Sequence, residues 1–420
     1  MPDTKYLIVG SSHAGLAALE AIRLADAEGS ITLLSKEGSL PYSPTVLPYV
    51  FSGMADADRV FLREDDYFKQ MGVDFKRGSA VTELNAQKGQ AVLETGETIG
   101  FQKALLATGA RPQVPKIEGL SDCPFQVLRT LADAKALKSG MESARSAIIL
   151  GAGLIGMHAA ESLCEAGLQV TVVEMAGRVL PGYFDAKASG MIKSIFNEHG
   201  VKLLLGSPVT HVVANHNGCG VSLENGLDLS ADMIMVATGV IPNWECLENQ
   251  GIDGAQGVLV DDYMRTGLKN IWAAGDVTRS KSFFDNSPTY SGTLPMAVEQ
   301  GRIAGASMAE DPGVKPFPGA VPLNTYSFFG NRSFSVGQAM ATASGKKTEV
   351  NLIHIPSSNS YQKLVFNADR LVGAMGINSE LDPGVLWRMI ERQVELGDVK
   401  EAFAAKPKEI GRLLMNNLWR

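Results

Sequence analysis

One local pattern occurs twice in this chain, and it constrains the fold more than any other feature. Residues 5–37 read KYLIVGSSHAGLAALEAIRLADAEGSITLLSKE, and residues 146–174 read SAIILGAGLIGMHAAESLCEAGLQVTVVE. Each holds an apolar run, a glycine-rich turn, a helix-periodic stretch and a second apolar run. Short continuous apolar runs on either side of a helix predict a βαβ unit whose parallel strands are buried on both faces. A second pair of signals follows in the same order. KALLATGARP (103–112) and DMIMVATGVIP (232–242) each carry an apolar strand ending in Ala-Thr-Gly, expected to close the fold its own glycine-rich turn opened. A further strand, in NIWAAGDV (270–277), follows the second fold but reads as a completion of the first.

These repeats predict an α/β protein with two Rossmann-like dinucleotide-binding domains, the second inserted in the first. The expected bounds are 1–115 with 255–315 for the first domain and 116–254 for the second. DPGVKPFPGAVP (311–322) has the proline and glycine content of a linker. Beyond it, NTYSFF, RSFSVG, TEVNLIHI, YQKLVFN and RLVGAMGI read as strands, and helices follow from about Pro383. Residues 316–420 are therefore expected to form a C-terminal α+β interface domain. Its aromatic NTYSFFG run and terminal LWR read as core first and as docking surface second.

The second fold carries the fuller motif. Gly151-Ala-Gly153-Leu-Ile155-Gly156 is a complete G-x-G-x-x-G between strand and helix, and Glu174 ends the next strand 23 positions after Gly151. Gly151 makes the tight turn, Gly153 admits a pyrophosphate to the backbone, and Gly156 lets helix and strand pack closely. The helix N-terminus attracts phosphate charge. A carboxylate at Glu174 accepts the ribose hydroxyls and repels a 2′-phosphate, which selects NAD(H) over NADP(H). Ile155, inside the motif, and Gly239, after the closing strand, complete the expected NAD set. In the first fold Gly10-Ser-Ser12-His13-Ala14-Gly15 has serine at the middle position, and the acid comes later, at Glu37. A serine still allows near approach, and its hydroxyl can bond phosphate.

Composition narrows the class. The chain has 420 residues, is 45% hydrophobic, and carries a formal charge of −7 with a pI near 5.5. That balance does not fit a disordered chain, and it lacks the basic footprint of a nucleic-acid binder. No apolar run reaches membrane-spanning length, and MPDTKYLIVGSSHAG does not read as a secretory leader, so no membrane partner and a cytoplasmic location are expected. Cys123, Cys164, Cys219 and Cys246 form no close-spaced pair, so a metal or cluster site within the chain is not expected.

Taken together, these motifs resemble the pyridine-nucleotide–disulfide oxidoreductase superfamily over about residues 4–310. The resemblance implies FAD in the first fold and NAD(H) in the second. It implies that Gly10, Ser12, His13, Ala14 and Gly15 hold the FAD pyrophosphate, with Glu37 on the ribose. Val81 then meets the adenine through its backbone, and Ala107, Thr108 and Gly109 lie beside the flavin nucleotide. Asp276 bonds the ribitol, and the helix beginning near Leu294 points its N-terminus at the flavin pyrimidine.

Departures from the family matter as much. Its disulfide reductases carry a C-x-x-x-x-C pair, absent here, and their C-terminal His-Pro base is missing. Its single-cysteine oxidases place a thiol in the stretch that here reads SLPYSPTVLPY; counting back from Tyr49, the position is Pro44. Where many relatives have a glutamate, two residues after Gly156, this chain has His158. That histidine is the candidate catalytic side chain beside the nicotinamide, with a packed helix histidine as the alternative; Glu161 is a further stand-in for the carboxylate.

The Pro-Tyr-Ser-Pro run resembles NADH-dependent reductases that serve iron–sulfur or metal partners: ferredoxin, rubredoxin and nitrite reductase types. Through SLPYSPTVLPYVFSG, VLRTLADA, LIGMHAAE, GYFD, AVEQGRIAG, GAVPLNTYSFFG and the C-terminal LWR, nearly end to end, the chain also resembles FAD subunits of multi-subunit 2-oxoacid dehydrogenases and tungsten aldehyde oxidoreductases. The expected function is an FAD-containing NAD(H):acceptor oxidoreductase that exchanges electrons with an iron–sulfur protein or subunit. A hetero-oligomeric complex is expected, with a homodimer and a slow-turnover redox sensor as alternatives.

Overall fold

The computed structural model describes residues 3–215, 218–342, 348–355 and 359–418. Trp419 and Arg420, the end of the LWR run, lie outside them. The chain divides into two compact units. The first holds residues 1–46, 55–111 and 240–320; the second holds 47–54, 112–239 and 321–420.

The first unit opens with β1 (Thr4–Val9), α1 (His13–Ala25) and β2 (Ile31–Ser35), followed by β3 (Val73–Arg77), β4 (Val81–Asn85), β5 (Gln90–Leu93) and β6 (Thr98–Leu106). β1 pairs in parallel with both β2 and β6. Leu7, Ile8, Leu33, Leu34, Leu105 and Leu106 are buried, as expected for central parallel strands covered on both faces. Burying each such side chain contributes about 1.5–3 kcal/mol, which outweighs the low intrinsic stability of short strands.

The second unit repeats the arrangement with β7 (Ser146–Leu150), α2 (Leu154–Glu165), β8 (Gln169–Glu174), α3 (Ala186–Glu198), β9 (Lys202–Leu205) and β10 (Met233–Val236). Its parallel sheet runs β9-β8-β7-β10. The chain returns to the first unit at Val240, ahead of the expected 255. There β11 (Ile271–Ala273) pairs in parallel with β6 at Ala104–Leu106. The first sheet accordingly runs β3-β2-β1-β6-β5-β4, with β11 also on β6. So the strand that follows the second fold does complete the first. α4 (Leu294–Met308) then lies along α1. A Cβ on Gly301 would meet Ala14 O at 2.2 Å and one on Gly305 would meet Ala18 O at 2.3 Å, so only glycine permits this approach.

The Pro- and Gly-rich 311–322 stretch is less free than its composition suggests. Phe317 is buried and its N–H donates to Asp262 O at 2.7 Å.

The last part of the second unit is an antiparallel sheet of β12 (Leu323–Phe328), β13 (Asn331–Gly337), β14 (Thr348–Ile355), β15 (Ser360–Asn367) and β16 (Arg370–Ile377). Its order is β12-β13-β16-β15-β14. Tyr326 and Phe328 of the NTYSFFG run are core residues here. Asp185, which caps α3, accepts hydrogen bonds from Tyr361 Oη at 2.6 Å and Lys363 Nζ at 3.3 Å. Lys363 is only 4% exposed, so without Asp185 its ammonium would be a buried charge lacking its carboxylate. Among the described residues no helix is long and apolar enough to cross a membrane.

Candidate functional site

In each unit the glycine-rich turn is built by the same two close approaches. Gly10 has φ +114°, and a Cβ there would sit 2.1 Å from Ala107 O. Gly151 has φ +108°, and a Cβ there would sit 2.4 Å from Ala237 O. A Cβ on Gly15 would lie 1.9 Å from Gly10 O, and one on Gly156 would lie 2.0 Å from Gly151 O. The first glycine of each motif thus touches its own Ala-Thr-Gly strand end, and the last seats the helix on the turn. The Ala107 and Ala237 N–H groups donate to Val9 O and Leu150 O, both at 2.8 Å, which brings each strand end to its turn.

The middle positions differ. Around the Cβ direction of Gly153 no atom lies within 4 Å. Gly153 also caps α2 without a side chain, and the first turn of α2 has no acidic residue. The helix end therefore offers unsatisfied N–H groups and open space, which fits a pyrophosphate. Ser12 caps α1, but its hydroxyl makes no bond to the helix. It stays available to an oxygen ligand at the same place.

The two acids are also held differently. Glu174 accepts the N–H of Ala152 at 2.7 Å on one oxygen and that of Ala176 at 2.8 Å on the other. Its carboxylate is fixed on the turn itself and keeps lone pairs for a ribose. Glu37 accepts a 2.6 Å hydrogen bond from the Tyr42 hydroxyl. The Gly78 N–H donates to Glu37 O at 3.1 Å and the Ser79 N–H to Ser35 O at 2.7 Å, which carries the chain to Val81 from the end of β2.

The rest of the first site gathers around α1 and α4. His13 hydrogen-bonds Ser43 Oγ through Nε2 at 2.8 Å, and Ser43 Oγ reaches Thr45 Oγ1 at 2.7 Å. Burial lowers the His13 imidazole pKa, and the Asp276 carboxylate opposes that shift. Asp276 follows Gly275, whose Cβ direction points at Ala14 Cβ at 3.1 Å and Ala297 Cβ at 3.7 Å. Gln300 fixes this turn from α4. Its Oε1 accepts from Gly275 N at 2.8 Å and Thr278 Oγ1 at 2.9 Å, while its Nε2 donates to Ser280 Oγ at 3.1 Å. Thr108 and Asn243 bond each other, with Thr108 Oγ1 donating to Asn243 O at 2.6 Å and Asn243 Nδ2 to Thr108 O at 3.0 Å. Gly109 adopts φ +68° beside them. At the head of α4, next to the exposed Leu294, the Ser291 and Thr293 hydroxyl oxygens are buried with no hydrogen-bond partner among the described residues. Leaving such groups unmade is costly, and two at one helix N-terminus fit the carbonyl edge of a flavin.

Sequence reasoning singled out neither Asn243 nor Gln300, although Gln300 lies in the AVEQGRIAG stretch of α4. Gly239 has φ +118° with only Gln113 Oε1 near its Cβ direction, at 3.5 Å, and the Gln113 N–H donates to Gly239 O at 2.8 Å. Ile155 is 38% exposed in the first turn of α2. His158 sits one turn on, edge-on to Tyr326 with ring centroids 4.7 Å apart. Burial pushes its pKa down to about 4, so the ring is neutral at pH 7. Glu161 accepts the N–H of Phe329. Both side chains therefore reach β12 and the turn that follows it.

All four cysteines are free. Burial pushes the thiols of Cys164, Cys219 and Cys246 up, to about 11 for Cys219 and about 12 for Cys246. Such thiols are poor nucleophiles.

Comparison with known proteins gives the following. Residues 4–310 match the family described as pyridine nucleotide-disulphide oxidoreductase. The chain is 44% identical to the NADH-dependent phenylglyoxylate dehydrogenase subunit epsilon of Aromatoleum evansii, over 99% of this chain and 98% of that one. It is 28% identical to the rubredoxin-NAD(+) reductase of Pseudomonas putida, over 74% of this chain and 82% of that one. Among solved structures, an NAD-dependent persulfide reductase from A. fulgidus aligns with a TM-score of 0.84 at 26% identity, covering 94% of this chain and 78% of that one.

Proposed function

This chain belongs to the pyridine nucleotide-disulphide oxidoreductase family, and from that premise we propose that it is the electron-transfer subunit of a multi-subunit 2-oxoacid dehydrogenase of the phenylglyoxylate type. It is an FAD- and NAD(H)-dependent oxidoreductase. In the proposed role it passes electrons between an iron–sulfur partner and NAD. The observation that carries the finer reading is the 44% identity spanning 99% of the chain, C-terminal sheet included.

Bound flavin and nicotinamide supply the redox chemistry, a hydride exchange on one side and single-electron exchange on the other. The protein's residues bind and orient. Gly151, Gly153, Ile155, Gly156 and the open end of α2 take the NAD pyrophosphate, and Glu174 takes its ribose. Gly239 lies beside them at the strand end. Gly10, Ser12, His13, Ala14 and Gly15 take the FAD pyrophosphate, with Glu37 and Val81 toward its adenosine. Ala107, Thr108 and Gly109 line the flavin nucleotide, Asp276 meets the ribitol, and Leu294 opens the helix aimed at the flavin. Ser291 and Thr293 add hydroxyl partners there, and positive partial charge at that helix end favours the reduced, anionic flavin. His158, neutral and packed on Tyr326, adds a non-ionic surface on α2 in place of a carboxylate.

The thiols support an external acceptor. Pro44, not a cysteine, stands where the single-cysteine oxidases carry their thiol, and the cysteines with raised pKa are held protonated by burial. Electrons then leave through a second protein.

Anaerobic stopped-flow reduction of the FAD-loaded chain by NADH tests the reading, followed by transfer to an iron–sulfur protein. Flavin bleaching within a second and fast reduction of the iron–sulfur protein are expected. Bleaching that takes minutes at saturating NADH would instead indicate a slow redox sensor. Vigorous oxygen uptake by the isolated chain would indicate an oxidase. Purification from the native source decides the complex: 2-oxoacid-oxidising subunits support the proposal, whereas a tungsten subunit or a chain running alone overturns it.

A further inference from the structure

The two Ala-Thr-Gly strand ends are tied by the same pair of bonds, and each threonine holds the residue that follows the other strand end. Asn243 lies five residues after Thr238, and Gln113 lies five residues after Thr108. In the first unit the Asn243 N–H donates to Gly109 O at 2.9 Å, and Thr108 Oγ1 donates to Asn243 O at 2.6 Å. In the second unit the Gln113 N–H donates to Gly239 O at 2.8 Å, and Thr238 Oγ1 donates to Gln113 O at 2.6 Å. A hydrogen-bonded pair in an antiparallel ladder exchanges two backbone bonds, one N–H to O in each direction. Here one of the two is absent from each pair. Gly109 accepts from Asn243 without donating to it, and Gly239 accepts from Gln113 without donating to it. The hydroxyl of the preceding threonine fills the carbonyl that is left. Both glycines adopt positive φ, +68° and +118°, and neither N–H has a hydrogen-bond partner among the described residues.

We propose that Thr108 and Thr238 are positioning residues. Each hydroxyl occupies the carbonyl that the next glycine would otherwise bond, which leaves the Gly109 N–H as a donor to FAD and the Gly239 N–H as a donor to NAD(H). The proposal rests on the nucleotide assignments of the two folds. A hydroxyl carries one proton, and here that proton is spent on the carbonyl, so the glycine amide and not the threonine is the donor kept for the ligand.

The two pairs are braced unequally. Asn243 Nδ2 donates to Thr108 O at 3.0 Å, and Asn243 Oδ1 accepts from Arg111 Nη1 at 3.0 Å. The Gln113 side chain is exposed and makes no such bond among the described residues. In the second unit the threonine hydroxyl is therefore the main side-chain bond that keeps the Gly239 amide out of the pair, and its removal has the clearest consequence there.

Two measurements on the FAD-loaded chain test this: hydrogen exchange at the Gly239 amide, and the dissociation constant of NAD⁺ by calorimetry. In the wild type the amide is expected to exchange fast without NAD⁺ and about tenfold slower at saturation. Thr238→Val keeps the shape and removes the hydroxyl. Its NAD⁺ affinity is expected to fall about fivefold, the net worth of one neutral hydrogen bond. Its Gly239 amide is expected to be protected already before NAD⁺ is added, because it turns to Gln113 O. Simple damage to the strand end has the opposite sign and speeds exchange. Thr238→Ser retains the hydroxyl and is expected to match the wild type in both measurements. In the first unit, Thr108→Val is expected to weaken FAD about fivefold on reconstitution, and Thr108→Ser to leave it unchanged. A Val variant that holds its dinucleotide as tightly as the wild type, in either unit, overturns the proposal. So does a Ser variant as weak as Val, or NAD⁺ bound by the wild type with exchange at Gly239 unchanged. A wild type that binds no NAD⁺ at all overturns the NAD assignment itself, and the role of Thr238 with it.

Discussion

The two glycine-rich folds share a skeleton and differ at its centre. Gly10 and Gly151 make the same contact with a strand-end carbonyl, and Gly15 and Gly156 the same contact with the turn. At the middle position one fold has Ser12 and the other Gly153, and the acids are Tyr42-bound Glu37 and backbone-bound Glu174. Contacts that fold the unit are thus strict, and contacts left to the ligand are variable. In the proposed roles, the first fold would hold its FAD through scattered partners, Asp276, Thr108 and the head of α4, and the second would exchange NAD at a compact turn with one carboxylate.

The largest expected effects test whether the folds fail separately. Gly10→Ala combines positive φ with a Cβ 2.1 Å from a backbone oxygen, and about 3 kcal/mol or more of destabilisation is expected. Loss of FAD from the purified chain, with a lowered melting temperature, checks it. Gly151→Ala meets the same obstruction in the second unit and is expected to abolish NAD⁺ binding while FAD stays in place, as an absorbance spectrum would show. If Gly151→Ala also strips FAD, the folds are not independent.

A subtler comparison separates folding from binding within one turn. Gly153→Ala adds a Cβ where no protein atom lies within 4 Å. Melting temperature is expected to stay unchanged while NAD⁺ affinity falls about tenfold, because the methyl occupies space a pyrophosphate needs. A fall in melting temperature as large as that of Gly151→Ala would break the distinction.

The acids come next. Glu174→Ala removes the proposed ribose acceptor and leaves the Ala152 and Ala176 N–H groups without this partner, so NADH affinity is expected to drop about tenfold. Preference for NADH over NADPH should narrow in the same steady-state assay. Glu37→Gln keeps an acceptor for Tyr42 and is expected to change FAD content by less. The smallest effect is expected for Ser12→Gly, which brings the first turn closer to the second. FAD affinity measured after reconstitution should shift by about threefold or less, one neutral hydrogen bond.

Much of this was legible in the chain. The doubled βαβ pattern, the Ala-Thr-Gly strand ends and the late strand Ile271–Ala273 each appear where the periodicity placed them, because buried parallel strands must be continuous apolar runs. Other parts were silent. Gln300 and Asn243 act through amide hydrogen bonds to distant backbone, and an isolated Gln or Asn has no period or spacing to reveal it. The 311–322 stretch reads as a linker by composition, yet Phe317 is buried, since one aromatic is enough to pin a loop.

By itself the sequence determined the two glycine-turn folds and their order. Those depend on local backbone geometry that only glycine allows, set between apolar strands at a fixed spacing along the chain. Tertiary structure alone decided where His158 and Glu161 reach: onto Tyr326 and the Phe329 turn, more than 160 residues away in sequence. It also decided that Ser43 faces His13. A helix position fixes the direction of a side chain, but its neighbour, its hydration and its proton affinity are set by whichever distant element packs against that face.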